Sequence, residues 1–204
     1  MQSVNLVLMH RPYLQVIEGQ MDDAAKLDTA VAKSNVVLSL LGPNKMRLPE
    51  PSPYPGYYST LFPLMRKHGV KRILAMSTLS VSDPLDGFSL LRWFLVLIVR
   101  LFAGSAYRTV HGIASVFQEE ADGLDWTVYR IAMIPGGHDE ESWKKDREDI
   151  PIHAGYVAKP GWQVYIRRGA LARWLVDCAE GGATEWIGKL PAISKSNIAK
   201  ERAE

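Results

Sequence analysis

The chain has 204 residues, 24 of them basic and 22 acidic, for a formal net charge of +2; 47% are hydrophobic and the mean hydropathy is −0.07. That composition excludes a disordered chain, which carries fewer apolar residues and more net charge, and the near balance of charge supplies no general attraction to nucleic acid. Cys178 is the one cysteine, so an internal disulfide and a paired-cysteine zinc site are excluded, and the length fits one domain with its own core.

In chain order, Val4–Met9 and Leu14–Ile17 read as short strands, the second stopped by Gly19. Met1–Met9 has no basic region and no small-residue cleavage site, so it is not a signal peptide, and the expected compartment is the cytoplasm. Asp22 or Asp23 caps a helix running to about Ser34, with Ala25, Leu27, Ala30 and Val31 as its buried face. Asn35–Leu41 is a buried strand closed by Gly42-Pro43. A proline-rich loop, Pro43–Pro55, leads to a helix ending near His68 and Gly69, and then to the strand Ile73–Ser77.

Phe88–Gly104, the most apolar stretch, is too short to span a bilayer. Arg92 and Arg100 stand two turns apart on nearly one side of it, leaving a wide apolar surface. The expected setting is a helix packed in the core or against a partner, a second copy included; a membrane-surface helix is the alternative. A second helix spans about Ala106–Ala121, followed by the strand Trp126–Arg130. His138–Asp149 reads as a solvated surface loop or short helix. A strand pair near Gly155–Ala158 and Gln163–Arg167, a helix Ala170–Glu180 and a polar tail complete the chain. This alternation of strand and helix predicts an α/β fold with a doubly wound, mostly parallel sheet.

Three blocks carry a family likeness: VIEGQMDDAAKLDTAVAKSNVVLSLLG, GVKRILAMSTLSV and LDWTVYRIAMIPGG. In order and spacing they resemble the third to sixth strands of atypical short-chain dehydrogenase/reductases. They are similar to NmrA-like NAD(P)-binding proteins and to oxidoreductases of fungal polyketide pathways, over about Leu14 to Ser194. The resemblance implies a Rossmann-like domain that uses NADP or NAD to oxidise or reduce a small carbonyl or hydroxyl compound in secondary metabolism. Dinucleotides bind beyond the carboxyl ends of the strands in such sheets. The resemblance therefore implies Gln20 and Met21 beside the adenine, Leu40, Leu41 and Gly42 along the cofactor, and Ile131 to Ile134, with Met133, at the nicotinamide. Arg11 would meet the 2′-phosphate of NADP; the competing reading is a solvated surface arginine.

The glycine turn G-x-G-x-x-G, which lets the backbone approach a pyrophosphate, does not occur in the sequence. In the relatives it follows the first strand, so the resemblance implies a chain that starts after that strand. About four residues separate Met9 from Leu14, too few for a parallel crossover, and a sheet without its first strand must close up or expose a backbone edge where a second copy could pair. For catalysis, the relatives place Tyr and Lys four apart on a helix. Tyr107 and His111 have that spacing here, and Ser77 would face a substrate carbonyl. A free histidine is mostly neutral at pH 7, and the alternatives are a dinucleotide sensor without turnover and an inactive fragment. No histidine pair has metal-ligand spacing, so no metal is expected.

Overall fold

A computed structural model describes residues 14–43, 45, 47–149 and 151–198. Five strands form one sheet in the order β1-β2-β3-β5-β4, with β1 Val36–Ser39, β2 Arg72–Thr78, β3 Asp125–Ile131, β4 Ile152–Gly155 and β5 Ala192–Lys195. All pairs are parallel except β4 with β5. The helices are α1 Ala24–Val31, α2 Tyr54–Lys67, α3 Leu90–Phe102, α4 Gly104–Glu120, α5 Glu140–Asp149 and α6 Arg168–Ala179. The doubly wound α/β fold expected from the sequence is present.

Side chains alternate across a strand, so β2 and β3 feed two cores at once. On one face Ile73, Ala75 and Val128 meet α2 and α4, where Tyr58, Phe62 and Phe117 stack edge to face with centroids 4.8 and 5.0 Å apart at Phe117. On the other face Leu74, Tyr129 and Ile193 meet Leu171, Trp174 and Cys178 of α6. Both strands can carry apolar side chains on either face because both faces are covered. Pro55 opens α2, and Gly69, with φ +70, lets the chain leave it for β2.

Several expectations are corrected. Leu14–Ile17 forms no strand: no described residue pairs with it, and Leu14 and Val16 are exposed. Asp23 caps α1, its Oδ1 accepting from Lys26 N at 3.1 Å, but α1 stops at Val31, the only buried residue on it; Ala25 faces solvent. The strand expected at Asn35–Leu41 is shorter and not fully buried, with Leu38 42% and Leu40 63% exposed, because β1 has only β2 beside it among the described residues. Gln163–Arg167 is not a strand; Tyr165 makes an isolated bridge to Met133, while Ala192–Lys195, where the sequence reading places no strand, forms β5 inside the sheet. Arg11 and Val4–Met9 lie outside the described residues.

The greasy helix departs furthest from a core setting. Ser89 caps α3 through its Oγ, yet none of the thirteen residues is buried. Its outward side shows Leu90, Phe94, Ile98, Leu101 and Phe102, and its inner side overhangs the ends of β2 and β3. No single helix among the described residues is long and apolar enough to cross a membrane; α3 and α4 meet those criteria only as a pair bent by 113°.

Candidate functional site

Three hollows line the carboxyl ends of the parallel strands, where an open α/β sheet presents ligand-binding turns. The first, about 300 Å³, lies between the strand ends and α3 and is lined by Thr78, Ile131, Met133, Arg92, Val96 and Val99 among others. The second, about 320 Å³, lies on the other side of Arg92 and takes in Ser80, Ser82, Arg100 and Tyr107. Ser80, Arg92 and Val96 belong to both. The third, about 420 Å³, lies beyond β1 and is lined by Gln20, Met21, Leu41, Lys45, Arg47 and Tyr57 among others.

The partition between the first two hollows is held by charge. Arg92 donates from Nε to the Leu79 carbonyl at 2.8 Å and from Nη2 to the Val81 carbonyl at 3.2 Å. Beneath it, fully buried Arg130 of β3 donates to the carbonyls of Leu190 and Val81 and to both oxygens of Asp86. Burial pushes the Asp86 carboxyl up, but Arg130 and the N–H groups of Asp83 and Val157 outweigh it and hold the group below the usual carboxylate range. The loop from Leu79 to Gly87 is thereby fixed to the sheet. Tyr156 is raised by burial, with the nearby carboxylates of Asp83 and Asp86 adding to it.

Tyr107 and His111 come together as their spacing predicts, with ring centroids 4.4 Å apart. His111 donates from Nε2 to the Ser80 carbonyl at 3.1 Å, which fixes the tautomer with Nε2–H. Burial, with Arg92 adding repulsion, holds its pKa below 6.5, so it is neutral at pH 7 and does not supply the positive charge that a lysine would. Arg92 and Arg100 line the same hollow as Tyr107. Ser77 is 2% exposed, its hydroxyl has no hydrogen-bond partner, and it lines neither hollow. Period-two alternation turns it with Ile73 and Ala75 toward the first core, and it is the next residue, Thr78, that reaches the 300 Å³ hollow.

Of the expected cofactor residues, Gln20, Met21 and Leu41 share the third hollow, and Ile131 and Met133 share the first. Leu40 faces an apolar hollow of about 540 Å³ along the edge of β1 that no described strand covers. Gly42 sits beside Met76, whose methyl would be 3.4 Å from an added β-carbon. Sequence reasoning did not find Lys45, Arg47, Tyr57 or the Arg130–Asp86 pair. Arg130 stood in the motif that carried the resemblance, but its partner lies 44 residues upstream, a contact no local spacing encodes. The donors present suit a dinucleotide at its two ends: cations, an amide and aromatic rings in the third hollow, and a mostly apolar slot with the Thr78 and Ser80 hydroxyls and Arg92 in the first. Among the described residues no three His, Cys, Asp or Glu side chains gather to hold a metal ion.

A family profile described as NAD(P)H-binding matches residues 5–181. No curated protein matches the sequence. Among solved structures, the fold is similar to a short-chain dehydrogenase/reductase of Veillonella parvula in complex with NADP, at 16% identity and a TM-score of 0.62 over 91% of this chain and 74% of that one. It is also similar to ChuY, an anaerobillin reductase of Escherichia coli O157:H7, at 16% identity and 0.63 over 96% and 81%. A Rossmann-fold NAD(P)-binding family protein of Shigella flexneri gives 17% and 0.57 over 96% and 79%.

Proposed function

The chain belongs to the NAD(P)H-binding family, and on that premise we propose that it is an NAD(P)-dependent oxidoreductase acting on a small carbonyl or hydroxyl compound. Its cofactor is NADP or NAD. The observation that carries the reading is the pair of hollows joined at Arg92, one apolar at the strand ends and one holding a phenol among cations. The reduced nicotinamide supplies a hydride. Ile131, Met133 and Val99 keep water from that end of the site, and Thr78 orients the carboxamide or the substrate oxygen. Tyr107 passes its hydroxyl proton to the substrate oxygen, while Arg92 and Arg100 stabilise the phenolate left behind. In this assignment His111 positions Tyr107 and the Ser80 turn, and Ser77 is structural. The likeness to polyketide-pathway oxidoreductases supports a substrate from secondary metabolism.

A second reading, an NmrA-like protein that binds the dinucleotide without turnover, is favoured by the neutral His111 and the enclosed Ser77. NADPH and NADH oxidation by purified protein, followed at 340 nm against quinones, aldehydes, ketones and a linear tetrapyrrole, separates the two. Turnover that disappears in Tyr107→Phe supports the enzyme. Cofactor binding with no turnover across the panel supports the sensor.

A further inference from the structure

The third hollow, like the second, has two cations and among the described residues no acid in its walls, but here neither cation is engaged. Its cations are Lys45 and Arg47. Among the described residues neither cation has an ion-pair or hydrogen-bond partner, and the one acid of that loop, Glu50, is taken up by Arg108. Lys45 and Arg47 are held out into solvent, where a cation with no partner gains nothing for stability. The N-terminus of α2 opens into the same hollow: Pro53 and Tyr54 line it, and no side chain caps the helix. Pro53 and Pro55 have no N–H and Tyr57 N donates to the Pro53 carbonyl, so the N–H groups of Tyr54 and Gly56 are those that add a positive partial charge to the two formal ones. Beside this charge stand flat surfaces, the rings of Tyr54 and Tyr57 at 5.9 Å, with the Gln20 amide and the Met21 thioether completing the wall.

We infer that Lys45 and Arg47 form a phosphomonoester site on the adenosine end of the cofactor, so that this chain selects NADPH over NADH through the loop after β1. The inference rests on the NAD(P)H reading and assigns to that loop the role that the family likeness gives to Arg11. Cations of this kind bind a dianionic phosphate through charge-assisted hydrogen bonds, and Arg47 offers a planar fork matched to it. A ribose hydroxyl in the same place offers no charge to answer them.

The test is calorimetric titration of the full chain with NADPH, NADH, 2′,5′-ADP, 5′-AMP and inorganic phosphate. NADPH and 2′,5′-ADP are expected to bind at least about tenfold tighter than NADH and 5′-AMP, the scale of one charge-assisted contact. That gap should narrow as salt rises. Lys45→Ala/Arg47→Ala closes the gap while leaving NADH affinity within about twofold, and the exchange Lys45→Arg/Arg47→Lys keeps most of it. Both positions are exposed, and circular dichroism confirms that the variants are folded. Equal affinity for NADPH and NADH overturns the inference. So does an alanine pair that weakens both cofactors alike, or an Arg11→Ala variant that alone abolishes the gap. Binding of inorganic phosphate as tight as that of 2′,5′-ADP also overturns it, because the site would then take free anion and not a nucleotide. If neither dinucleotide binds but 2′,5′-ADP outcompetes 5′-AMP, the cofactor reading falls and the phosphate site stands; if none of the ligands binds, both fall.

Discussion

The guanidinium of Arg130 holds the carboxylate of Asp86 at both ends, Nη1 to Oδ2 at 2.6 Å and Nη2 to Oδ1 at 2.9 Å, with the arginine wholly out of contact with solvent. The pair ties the loop after β2 to the neighbouring strand, and Asp86 passes the tie on by accepting from Val157 N at 3.0 Å. Removing the acid strands a buried cation. Asp86→Ala is therefore expected to cost about 3–5 kcal/mol, read as a lower urea midpoint at an unchanged slope. A loss under about 1 kcal/mol would show that water replaces the carboxylate.

Acid should loosen the fold through its histidines before its carboxylates. His111 and His153 both have folded-state pKa values below 6.5, each because burial disfavours the imidazolium. The unfolded chain then takes up protons first, so stability is complete above about pH 6.5 and declines below it, at no more than about 1.4 kcal/mol per pH unit for each histidine. The decline stops once the folded-state values are passed. Denaturation midpoints between pH 8 and 5 should slope less in His111→Gln than in the parent, and an unchanged slope would refute the assignment.

Tyr107→Phe separates chemistry from binding. The expected result is a fall in kcat of about a hundredfold or more, with cofactor affinity and stability unchanged, since one hydroxyl on a half-buried ring is lost. Unaltered turnover would remove the phenol from the proton path and leave Thr78 or water as the donor.

Two apolar substitutions should differ widely in cost. Leu101 on the outside of α3 is 69% exposed, so Leu101→Lys is expected to change stability by less than about 0.5 kcal/mol. Phe117 is enclosed between Tyr58, Phe62 and Trp126, and Phe117→Ala is expected to cost about 3–5 kcal/mol. A large stability loss from Leu101→Lys in urea titrations would mean that the outer face of α3 is covered in solution.

The central strands were legible because ILAMS and WTVYR are apolar runs between helix signals, and only a sheet covered on both faces asks for that. AISK was not, since four residues with a lysine at the end look like a tail until the neighbours β3 and β4 are known. Leu14–Ile17 failed in the opposite direction: its composition suits a strand, but a strand exists only where another offers its backbone. In the site, the four-residue spacing of Tyr107 and His111 placed both on one helical face, and the structure keeps them there. What the imidazole does was hidden, because its acceptor is a backbone carbonyl 31 residues away. Lys45 and Arg47 escaped notice for a related reason: only the fold brings the loop after β1 against Gln20 and Met21.

The parallel order of the sheet also governs time. Arg72 and Asp125 pair across 53 residues, and Arg130 meets Leu190 across 60, so almost nothing in the sheet can zip from a neighbouring turn. The chain must close long loops at an entropic cost before the central ladder returns any energy, a route that places folding in the slow range for a domain of this size. Helices α3 and α4, adjacent in sequence, can form long before β3 finds β2. Throughout that interval the nascent chain displays both sides of its most apolar segment, and the speed of strand closure sets how long the inner side waits for the strand ends that it overhangs.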